Sequence, residues 1–429
     1  MDATAIALIA SAIFVWGALS ARFQRADLTA PIVFLAVGAV LAGLDVIEAS
    51  TASQGVRPLV EITLVWVLFS DAARVRVQDL RGDLALYGRL LGVGLPLTVL
   101  AGWGAALWLF PDLGVWLALL VAAALAPTDA ALGVPVVTNP VVPSRIRRMI
   151  TVESGLNDGI ATPVVMLAIV GAASAEGFTG APGLGEAVAE LMLGAGVGVA
   201  VGAGGGWLLR RARRRDWSAE DFVGIAVLAL ALVAYAGAVA LQGNGFVAAF
   251  VGGLAFGSAA GPRGRSEVTL VEQASGLMSL LVWLGFGAIA VPVVLAGPGV
   301  ATVLYAVLSL TVLRMVPVAV ACLGSGLDRR TVLFVGWFGP RGLASLVFAL
   351  LALEELGPVA DGVVSVIGLT VFLSVLAHGA SSAPLAAWYG RAVASREPEP
   401  GAAVPEIPVR GLPRRSRPVD ELRADRPGP

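Results

Sequence analysis

The chain has 429 residues, of which 57% are hydrophobic and only 14% are charged, and its mean hydropathy is +0.86. This composition excludes a soluble globular protein of that size and predicts an all-α polytopic membrane protein. The formal net charge is -1 and the arginines fall in short clusters between apolar runs, which argues against a nucleic-acid partner.

Thirteen apolar segments follow one another along the chain and predict about thirteen transmembrane helices. A hydropathy window of about 19 residues, the length that crosses the hydrocarbon core of a bilayer, distinguishes these segments. The segments cover approximately residues 3–21, 29–46, 58–71, 84–110, 113–138, 148–171, 185–209, 220–241, 244–260, 269–295, 299–324, 330–353 and 361–389.

Arginines are concentrated in every second connection between the segments, which places them on one side of the membrane. The odd-numbered connections between segments carry seventeen arginines, whereas the even-numbered connections carry one, Arg57. Because arginine-rich loops stay on the cytoplasmic side, the alternation predicts an N-terminus outside the cell and a C-terminus in the cytoplasm. A segment wrongly added or missed would reverse the pattern, so the alternation also favours the count of thirteen.

The C-terminal stretch, residues 391–429, differs in character from the rest of the chain. It is rich in proline, arginine and glutamate and has no apolar periodicity. Such a sequence buries too little apolar surface to offset the entropy of ordering, which predicts a disordered cytoplasmic tail. Arg414, Arg415 and Arg417 would permit a contact with lipid headgroups, but the interspersed acidic residues favour an inert solubilising tail.

The fifth segment is interrupted by Pro127, Thr128 and Asp129. Proline removes a backbone donor and clashes with the preceding turn, so the helix has to kink or break there. Carbonyl groups freed at this depth are tolerated only inside the protein or along a hydrated cavity, and the added hydroxyl and carboxylate are hard oxygen ligands suited to Na+ or Li+. The alternative is a simple proline kink in which Asp129 caps the second half of the helix.

The twelfth segment has a second interruption, formed by Gly339, Pro340, Arg341 and Gly342. It lies seven segments after the first, and an odd offset puts the two breaks in helices of opposite direction. The first six and the last six segments are therefore predicted to form two inverted-topology six-helix repeats, joined by the seventh. Secondary transporters have this architecture, with interrupted helices that cross near the membrane midplane.

The sixth segment contains TVESGLNDGIATP, in which Glu153, Asn157 and Asp158 interrupt an apolar helix. Ionised groups at this depth are costly and usually face a protein interior or a water-filled path, which indicates a cation or proton site. Glu153 and Asn157 are four residues apart and share one helix face, while Ser154 and Asp158 share the neighbouring face.

Charges in the middle of the segments nearly balance. Arg314 in segment 11 is the natural partner of Glu153. Three carboxylates, including Asp129 and Asp158, face two guanidinium groups, Arg314 and Arg341, which leaves one negative charge that we assign to Asp158. A proton and a metal cation would compete for that carboxylate. The alternative is a purely structural network of the five groups that transports no ion.

Other polar residues in the segments give weaker signals. His378, the only histidine, is interpreted as a hydrogen-bonded structural residue rather than as a proton relay. Glu61, Asp71 and Glu272 lie at or near segment ends, where water reaches them, and are interpreted as interfacial.

Three stretches resemble the monovalent cation/proton antiporters of the prokaryotic NhaP type, relatives of the animal sodium/proton exchangers. They are APTDAALG at 126–133, RIRRMITVESGLNDGIATPVV at 145–165 and GPRGLASLVFAL at 339–350. Together with the thirteen-segment topology, the resemblance covers about residues 1–390. Gly155 in place of a commoner leucine, and a segment-5 motif unlike the Asp-Pro form of the animal exchangers, leave the preferred cation open.

The resemblance implies a binding site for the transported ions. It implies that Asp158 binds Na+ and H+ alternately and that Thr128, Asp129 and Ser154 are auxiliary ligands of the cation. It further implies no cofactor besides the transported ions.

The resemblance also implies a supporting structure around that site. Glu153 and Arg314 would form a structural ion pair with Asn157 nearby, and Arg341 would lie beside the crossing helices.

An architecture follows from the same resemblance. A member of the family is expected to be a homodimer in the cell (inner) membrane, surrounded by membrane lipid. Its transmembrane domain, residues 1–390, would divide into a core bundle (about 84–171 and 299–389) and a dimerisation part (about 1–83 and 185–295), and the core would move against the latter.

The combined prediction is secondary active antiport of Na+ (or Li+) for H+ by alternating access. In electrogenic relatives a second aspartate replaces Asn157, so we expect electroneutral exchange of one proton per cation. A K+/H+ antiporter on the same scaffold is the nearest alternative. From other classes, a cation channel or a non-transporting membrane sensor stay open, whereas an enzyme is disfavoured because the sequence has no nucleophile–base pair or Cys/His metal cluster.

Overall fold

The computed structural model describes residues 3–25, 28–46, 49–75, 83–178, 183–261, 267–295 and 297–394, which form helices and connecting turns without a strand. The α-helices are α1 (Ala3–Arg25), α2 (Ala30–Gly43), α3 (Ala49–Arg74), α4 (Leu84–Arg89), α5 (Leu95–Leu109), α6 (Gly114–Leu125), α7 (Val134–Val137), α8 (Ser144–Ala175), α9 (Leu184–Arg214), α10 (Glu220–Ala240), α11 (Gly245–Ala259), α12 (Thr269–Leu295), α13 (Val300–Leu310), α14 (Val312–Ala321), α15 (Arg329–Trp337), α16 (Leu343–Leu356) and α17 (Asp361–Ala394). A π-helical stretch (Leu90–Gly94) joins α4 to α5, and 3₁₀ turns occupy Pro111–Leu113, Ala130–Gly133 and Gly357–Ala360.

Each of the thirteen predicted segments coincides with one helix or with consecutive helices, which confirms the prediction of an all-α polytopic membrane protein. Within the described residues, nine helical stretches are long and apolar enough to cross a membrane, and α2 and α11 are shorter apolar helices. The third helix is longer than predicted, because it begins at Ala49 and contains Pro58. The last helix continues to Ala394, past the predicted boundary at 390, and the remainder of the predicted tail, 395–429, lies outside the described residues.

Three of the predicted spans are broken. The first break follows α6, which ends two residues before Pro127, and the second separates α15 from α16 around Pro340. Both agree with the rule that proline removes a helical donor and clashes with the preceding turn. The third break was not predicted: α13 and α14 are separated at Thr311, whose φ of -116° and ψ of -93° are not helical.

Glycines bring one set of helices to direct backbone contact. Along α9, Gly198 and Gly202 face α11, where an added Cβ would overlap the backbone of Ala248 and Gly252. Similar glycine contacts join α2 to α12 and α3 to α11. Small residues let helices approach closely in a membrane, where packing rather than the hydrophobic effect holds them together. We call α2, α3, α9, α11 and α12 the glycine-packed group.

Helix α8 lies between this group and the helices that carry the two breaks. It contacts α3 and α11 as well as α6 and α16. Two aromatic rings fill the space beside its glycines, Phe250 of α11 at Gly159 and Trp116 of α6 at Gly171. The middle of α8, with its polar residues, is therefore enclosed by protein on several sides.

The glycine contacts make a prediction about stability. Gly202→Ala should lower the thermal unfolding midpoint of the purified protein, because its Cβ would overlap Gly252 of α11. Overpacking of this kind typically costs about 1–3 kcal/mol. Gly204, two residues away on the same helix, has no atom within 4 Å of an added Cβ and provides the matched control. Gly204→Ala should leave the midpoint unchanged or slightly raised, and equal midpoints for the two variants would contradict close α9–α11 packing.

Candidate cation site

The two interrupted spans meet at their breaks. The backbone N–H of Asp129, in the first break, donates to the carbonyl oxygen of Pro340, in the second, at 2.8 Å. Helix breaks expose backbone groups that lipid cannot satisfy, so such groups have to find partners within the protein. This hydrogen bond pairs one exposed donor with one exposed acceptor and fixes the crossing point.

The side chain of Asp129 caps two helical starts. Its Oδ1 accepts the N–H of Ala131 at 2.9 Å, in the 3₁₀ turn that resumes its own span. Its Oδ2 accepts the N–H of Leu343 at 3.1 Å, the first residue of α16. The positive end of the α16 dipole also favours a carboxylate at this place. Gly342 makes room for the arrangement, because an added Cβ there would overlap the Asp129 side chain.

The hydroxyl of Thr128 joins the first break to α8. Its Oγ1 lies 3.0 Å from Ser154 Oγ and accepts a hydrogen bond from Nδ2 of Asn157 at 2.8 Å. All three side chains are buried. These buried hydrogen bonds hold the polar face of α8 against the break.

Glu153 and Arg314 form a buried ion pair. Nη2 of Arg314 donates to Oε1 of Glu153 at 2.5 Å, and the two side chains are 1% and 3% exposed. Arg314 also lies beside the second break, since a Cβ added at Gly339 would be 2.6 Å from its Nε. A buried pair contributes little net stability, but removal of one partner leaves an uncompensated charge.

Arg341 supports the second break with its guanidinium group. The residue is fully buried, and its Nη1 and Nη2 donate to the carbonyl oxygens of Gly339 and Ser309 at 3.1 and 3.0 Å. Its backbone N–H donates to Oγ of Ser374 at 2.7 Å. The guanidinium therefore satisfies a carbonyl in the break and another at the end of α13, where helical partners are missing.

His378 of α17 is hydrogen-bonded to the same break. Its Nε2 lies 2.9 Å from the carbonyl oxygen of Trp337, and its Nδ1 lies 3.2 Å from Ser374 Oγ. Nδ1 also lies 2.9 Å from the carbonyl oxygen of Ser374, so a ring N–H can donate to either carbonyl oxygen, while the Ser374 hydroxyl accepts the N–H of Arg341. One chain of hydrogen bonds thus connects both sides of the second interruption to α17.

A cavity of about 30 Å³ opens beside the crossing, enough for one or two particles of the size of water. It is lined by Asp71, Arg74, Val75, Thr128, Asp129, Ala130, Ala131, Thr151, Ser154, Gly155 and Asp158. The four residues predicted to bind the cation all line this one cavity. The four predicted to support the site are not part of its lining.

Asp71 is a cavity residue that the sequence interpretation placed at an interface. It lies on α3, where its Oδ1 is 3.6 Å from Nη1 of Arg74, and Nε of Arg74 donates to Oε1 of Glu272 at 2.7 Å. Three carboxylates and one guanidinium group therefore border the cavity. The spacing of Asp71 and Arg74 indicates an ion pair on one helix face, but no signal in the sequence brings α3 next to the break in segment 5.

Comparison with protein families gives one match that covers most of the chain. Residues 8–388 match the family model described as "Sodium/hydrogen exchanger, transmembrane". The K(+)/H(+) antiporter NhaP2 of Shewanella sp. (strain MR-4) is 28% identical over 384 residues, which are 85% of this chain and 63% of the relative. The K(+)/H(+) antiporter NhaP of Alkalimonas amylolytica is 26% identical over 331 residues, 76% of this chain and 56% of the relative. The chain thus spans less than two thirds of the length of these relatives.

A solved structure shares the fold. The sodium proton antiporter MjNhaP1 from Methanocaldococcus jannaschii, determined at pH 8, superposes with a TM-score of 0.69 at 20% identity. The match covers 90% of this chain and 98% of MjNhaP1. At this identity the likeness concerns the fold and not the transported ion.

The buried ion pair can be tested by removing one partner and then both. Glu153→Gln should lower the thermal unfolding midpoint, because it strands the Arg314 charge at a typical cost of about 3–5 kcal/mol. Adding Arg314→Gln to this variant should restore a large part of the loss. Arg145→Gln, which breaks a pair with Asp83 whose side chains are 40% and 19% exposed, is the control and should cost less than about 1 kcal/mol. Similar losses for Glu153→Gln and Arg145→Gln would contradict a buried pair.

Proposed function

We propose that this chain, which belongs to the sodium/hydrogen exchanger family, exchanges a monovalent cation for a proton across the membrane, with Asp158 binding each in turn. The family consists of membrane exchangers and not of enzymes. The observation that carries the proposal is a small cavity at the crossing of two interrupted helices, lined by three carboxylates, three hydroxyl groups and one guanidinium group.

The ligand chemistry of the cavity suits a monovalent cation. Carboxylate and hydroxyl oxygens are hard ligands, which Na+, Li+ and K+ prefer over nitrogen or sulfur. The volume admits one ion with little water, so a cation has to give up part of its hydration shell and receive protein oxygens instead. Asp158, Asp129, Thr128 and Ser154 are the proposed ligands.

The two aspartates of the predicted site would have different roles. Both oxygens of Asp129 accept backbone N–H groups, so its charge is partly engaged in holding the crossing together. Asp158 lies on α8 and is only 8% exposed. We therefore assign the exchange of cation and proton to Asp158, and to Asp129 the double task of cap and auxiliary ligand.

Alternating access would follow from the division of the chain predicted above. Asp71 and Arg74 of α3, with Val75 directly after it, belong to the glycine-packed group, while the other lining residues belong to α8 and the first break. A cavity built from two groups of helices opens or closes when one group moves against the other. The inverted repeats would provide a second, equivalent conformation that faces the opposite side.

The proposal also concerns which cation is transported. Hard oxygen ligands favour Na+ or Li+. Potassium is the second candidate, because the NhaP2 and NhaP relatives are both named K(+)/H(+) antiporters. Dequenching of a pH-sensitive dye in everted vesicles on addition of Na+, Li+ or K+ would rank the three ions directly.

Further elements of the proposal concern the assembly. We propose a homodimer, an N-terminus outside the cell and a C-terminus in the cytoplasm. The nearly unburied helix α1 supports a protein or lipid partner for its apolar face, where Phe14 is 75% exposed. A channel or a sensor would not couple cation flow to opposite proton flow, so coupled counterflow separates both from an antiporter.

Replacement of the exchange carboxylate should abolish transport. Asp158→Asn keeps the side-chain shape but cannot take up a proton or provide a negative charge, so cation-dependent dequenching in everted vesicles should fall to that of vesicles without the protein. The thermal unfolding midpoint and the oligomeric state should stay close to those of the parent. Asp112→Asn, which alters an exposed carboxylate between α5 and α6, should retain full activity. Substantial exchange by Asp158→Asn would remove this residue from the mechanism.

The stoichiometry can be measured separately. With one exchangeable carboxylate, each cation should be replaced by one proton, and no net charge should cross the membrane. In proteoliposomes a diffusion potential of either sign, imposed with a permeant anion because K+ is itself a candidate substrate, should therefore leave the cation/proton exchange rate unchanged. A rate that follows the sign of the potential would show electrogenic exchange and contradict the assignment of a single exchange site.

A further inference from the structure

Four arginines lie on one side of the C-terminal end of α9, three in its last turns and Arg215 directly after it. Trp207, Arg210, Arg211, Arg214 and Arg215 follow the i, i+3, i+4, i+7, i+8 spacing of a helix face and together line one surface hollow. All five residues are exposed. A strongly basic face at the end of a membrane-spanning helix is thus left uncovered by the rest of the chain that the structure describes.

Arg213, in the same run of arginines, differs from the four because it has partners within the protein. Its Nη2 donates to the carbonyl oxygen of Ala260 at 2.6 Å, and it forms an ion pair with Glu267. This arginine fastens the end of α9 to the chain that follows α11. The four arginines of the hollow make no such contact, and no ion pair joins them to any carboxylate in the described parts of the chain.

Two tryptophans accompany the basic face. The guanidinium carbon of Arg211 lies 5.6 Å from the ring centre of Trp207, and that of Arg215 lies 4.8 Å from the ring centre of Trp217. Both rings are exposed, at 58% and 62%. Exposed tryptophans are typical of the membrane–water interface. A guanidinium group stacked on a ring keeps its N–H edge available for phosphate oxygens.

An apolar stripe continues from the basic face toward the other end of α9. Met192 and Val199 are 69% and 51% exposed. At 100° per residue they lie within about 80° of Trp207 around the helix axis, and therefore on the same side. The surface changes along one line from apolar to aromatic to cationic, the order of an acyl chain, an interface and a charged headgroup.

We propose that this face of α9 is a binding site for an anionic phospholipid. The phosphate group lies among Arg210, Arg211, Arg214 and Arg215, and an acyl chain follows the stripe formed by Met192, Val199 and Trp207. Arginine pairs with phosphate through parallel N–H donors, which makes these contacts stronger and more specific than those of dispersed surface charges. The site does not depend on which ion the protein exchanges.

A second copy of the chain would fit this surface poorly. If the twofold axis of a symmetric dimer passed through this patch, four arginines would face four arginines. The C-terminal stretch is no better as a partner, because residues 395–429 contain seven arginines against six carboxylates. Anionic lipid supplies the missing negative charge and the apolar chain at the same time.

Thermal unfolding in detergent with added lipid tests the proposal on the full-length protein. Phosphatidylglycerol should raise the unfolding midpoint of the parent protein, and zwitterionic phosphatidylcholine should not. Arg210→Gln combined with Arg214→Gln should raise the phosphatidylglycerol concentration for half of the effect roughly tenfold or more, since each basic residue near a membrane surface adds measurably to anionic-lipid binding. The control removes two exposed arginines at the start of α15, Arg329→Gln with Arg330→Gln, and should respond like the parent.

Several outcomes would overturn the site. An unchanged lipid response of the Arg210/Arg214 variant would exclude these side chains, and an equal loss in the Arg329/Arg330 control would show a general effect of net charge. An equal rise of the midpoint with inorganic phosphate would show a simple anion site. A lower lipid-free midpoint of the glutamine variant would shift the test to Arg210→Lys with Arg214→Lys, which keeps the charge and should retain an intermediate response. The response of the lysine variant has to fall between those of the parent and the glutamine variant.

Discussion

The need to satisfy backbone groups at two helix breaks governs the centre of this protein. A proline interrupts each of two membrane spans, and the freed N–H and C=O groups cannot be left to lipid. The breaks solve the problem together: Asp129 donates its N–H to Pro340, and its carboxylate caps Leu343 and Ala131. The crossing is therefore a structural requirement before it is a binding site. An aspartate at this place is explained by capping alone, so its proposed contact with a cation is an addition to that role.

Positive charges next to a cation site have to be neutralised or turned away. Arg314 is paired with Glu153 inside the protein. The guanidinium of Arg341 donates to the carbonyl oxygen of Gly339 in the second break and to that of Ser309 at the end of α13. Neither arginine lines the cavity. The two arginines stabilise the breaks from outside the cavity, and the carboxylates of the lining, such as Asp158, face the cavity without them. Arg74 is the one basic residue of the lining, and its Nε is hydrogen-bonded to Glu272 on α12.

The sequence made the local features of the fold predictable and left the contacts between them open. Apolar length and the positions of prolines and glycines predicted every segment and both proline-containing breaks, because these are properties of short stretches. The cross-cap of Asp129 on Leu343 joins residues 214 positions apart, and no spacing rule predicts it. Asp71 shows the same limit: its position near a helix end is visible, but its place in the cavity beside segment 5 depends on how α3, α8 and α11 fit together. The break at Thr311 has no proline of its own and no signal that we recognise.

Electrostatics across the cavity links occupancy to movement in the proposed exchange. Asp71 belongs to the glycine-packed group, whose helices approach one another closely at their backbones. Asp158 belongs to α8, whose contacts with α11 include the ring of Phe250 against Gly159. When the cavity holds neither cation nor proton, the carboxylates on its two walls repel each other in surroundings of low dielectric constant. In the proposed exchange, a bound cation or proton would reduce the repulsion that Arg74 leaves uncompensated and allow the walls to approach, whereas the empty, charged site would keep them apart. An exchanger needs this asymmetry, because only its loaded forms should change sides.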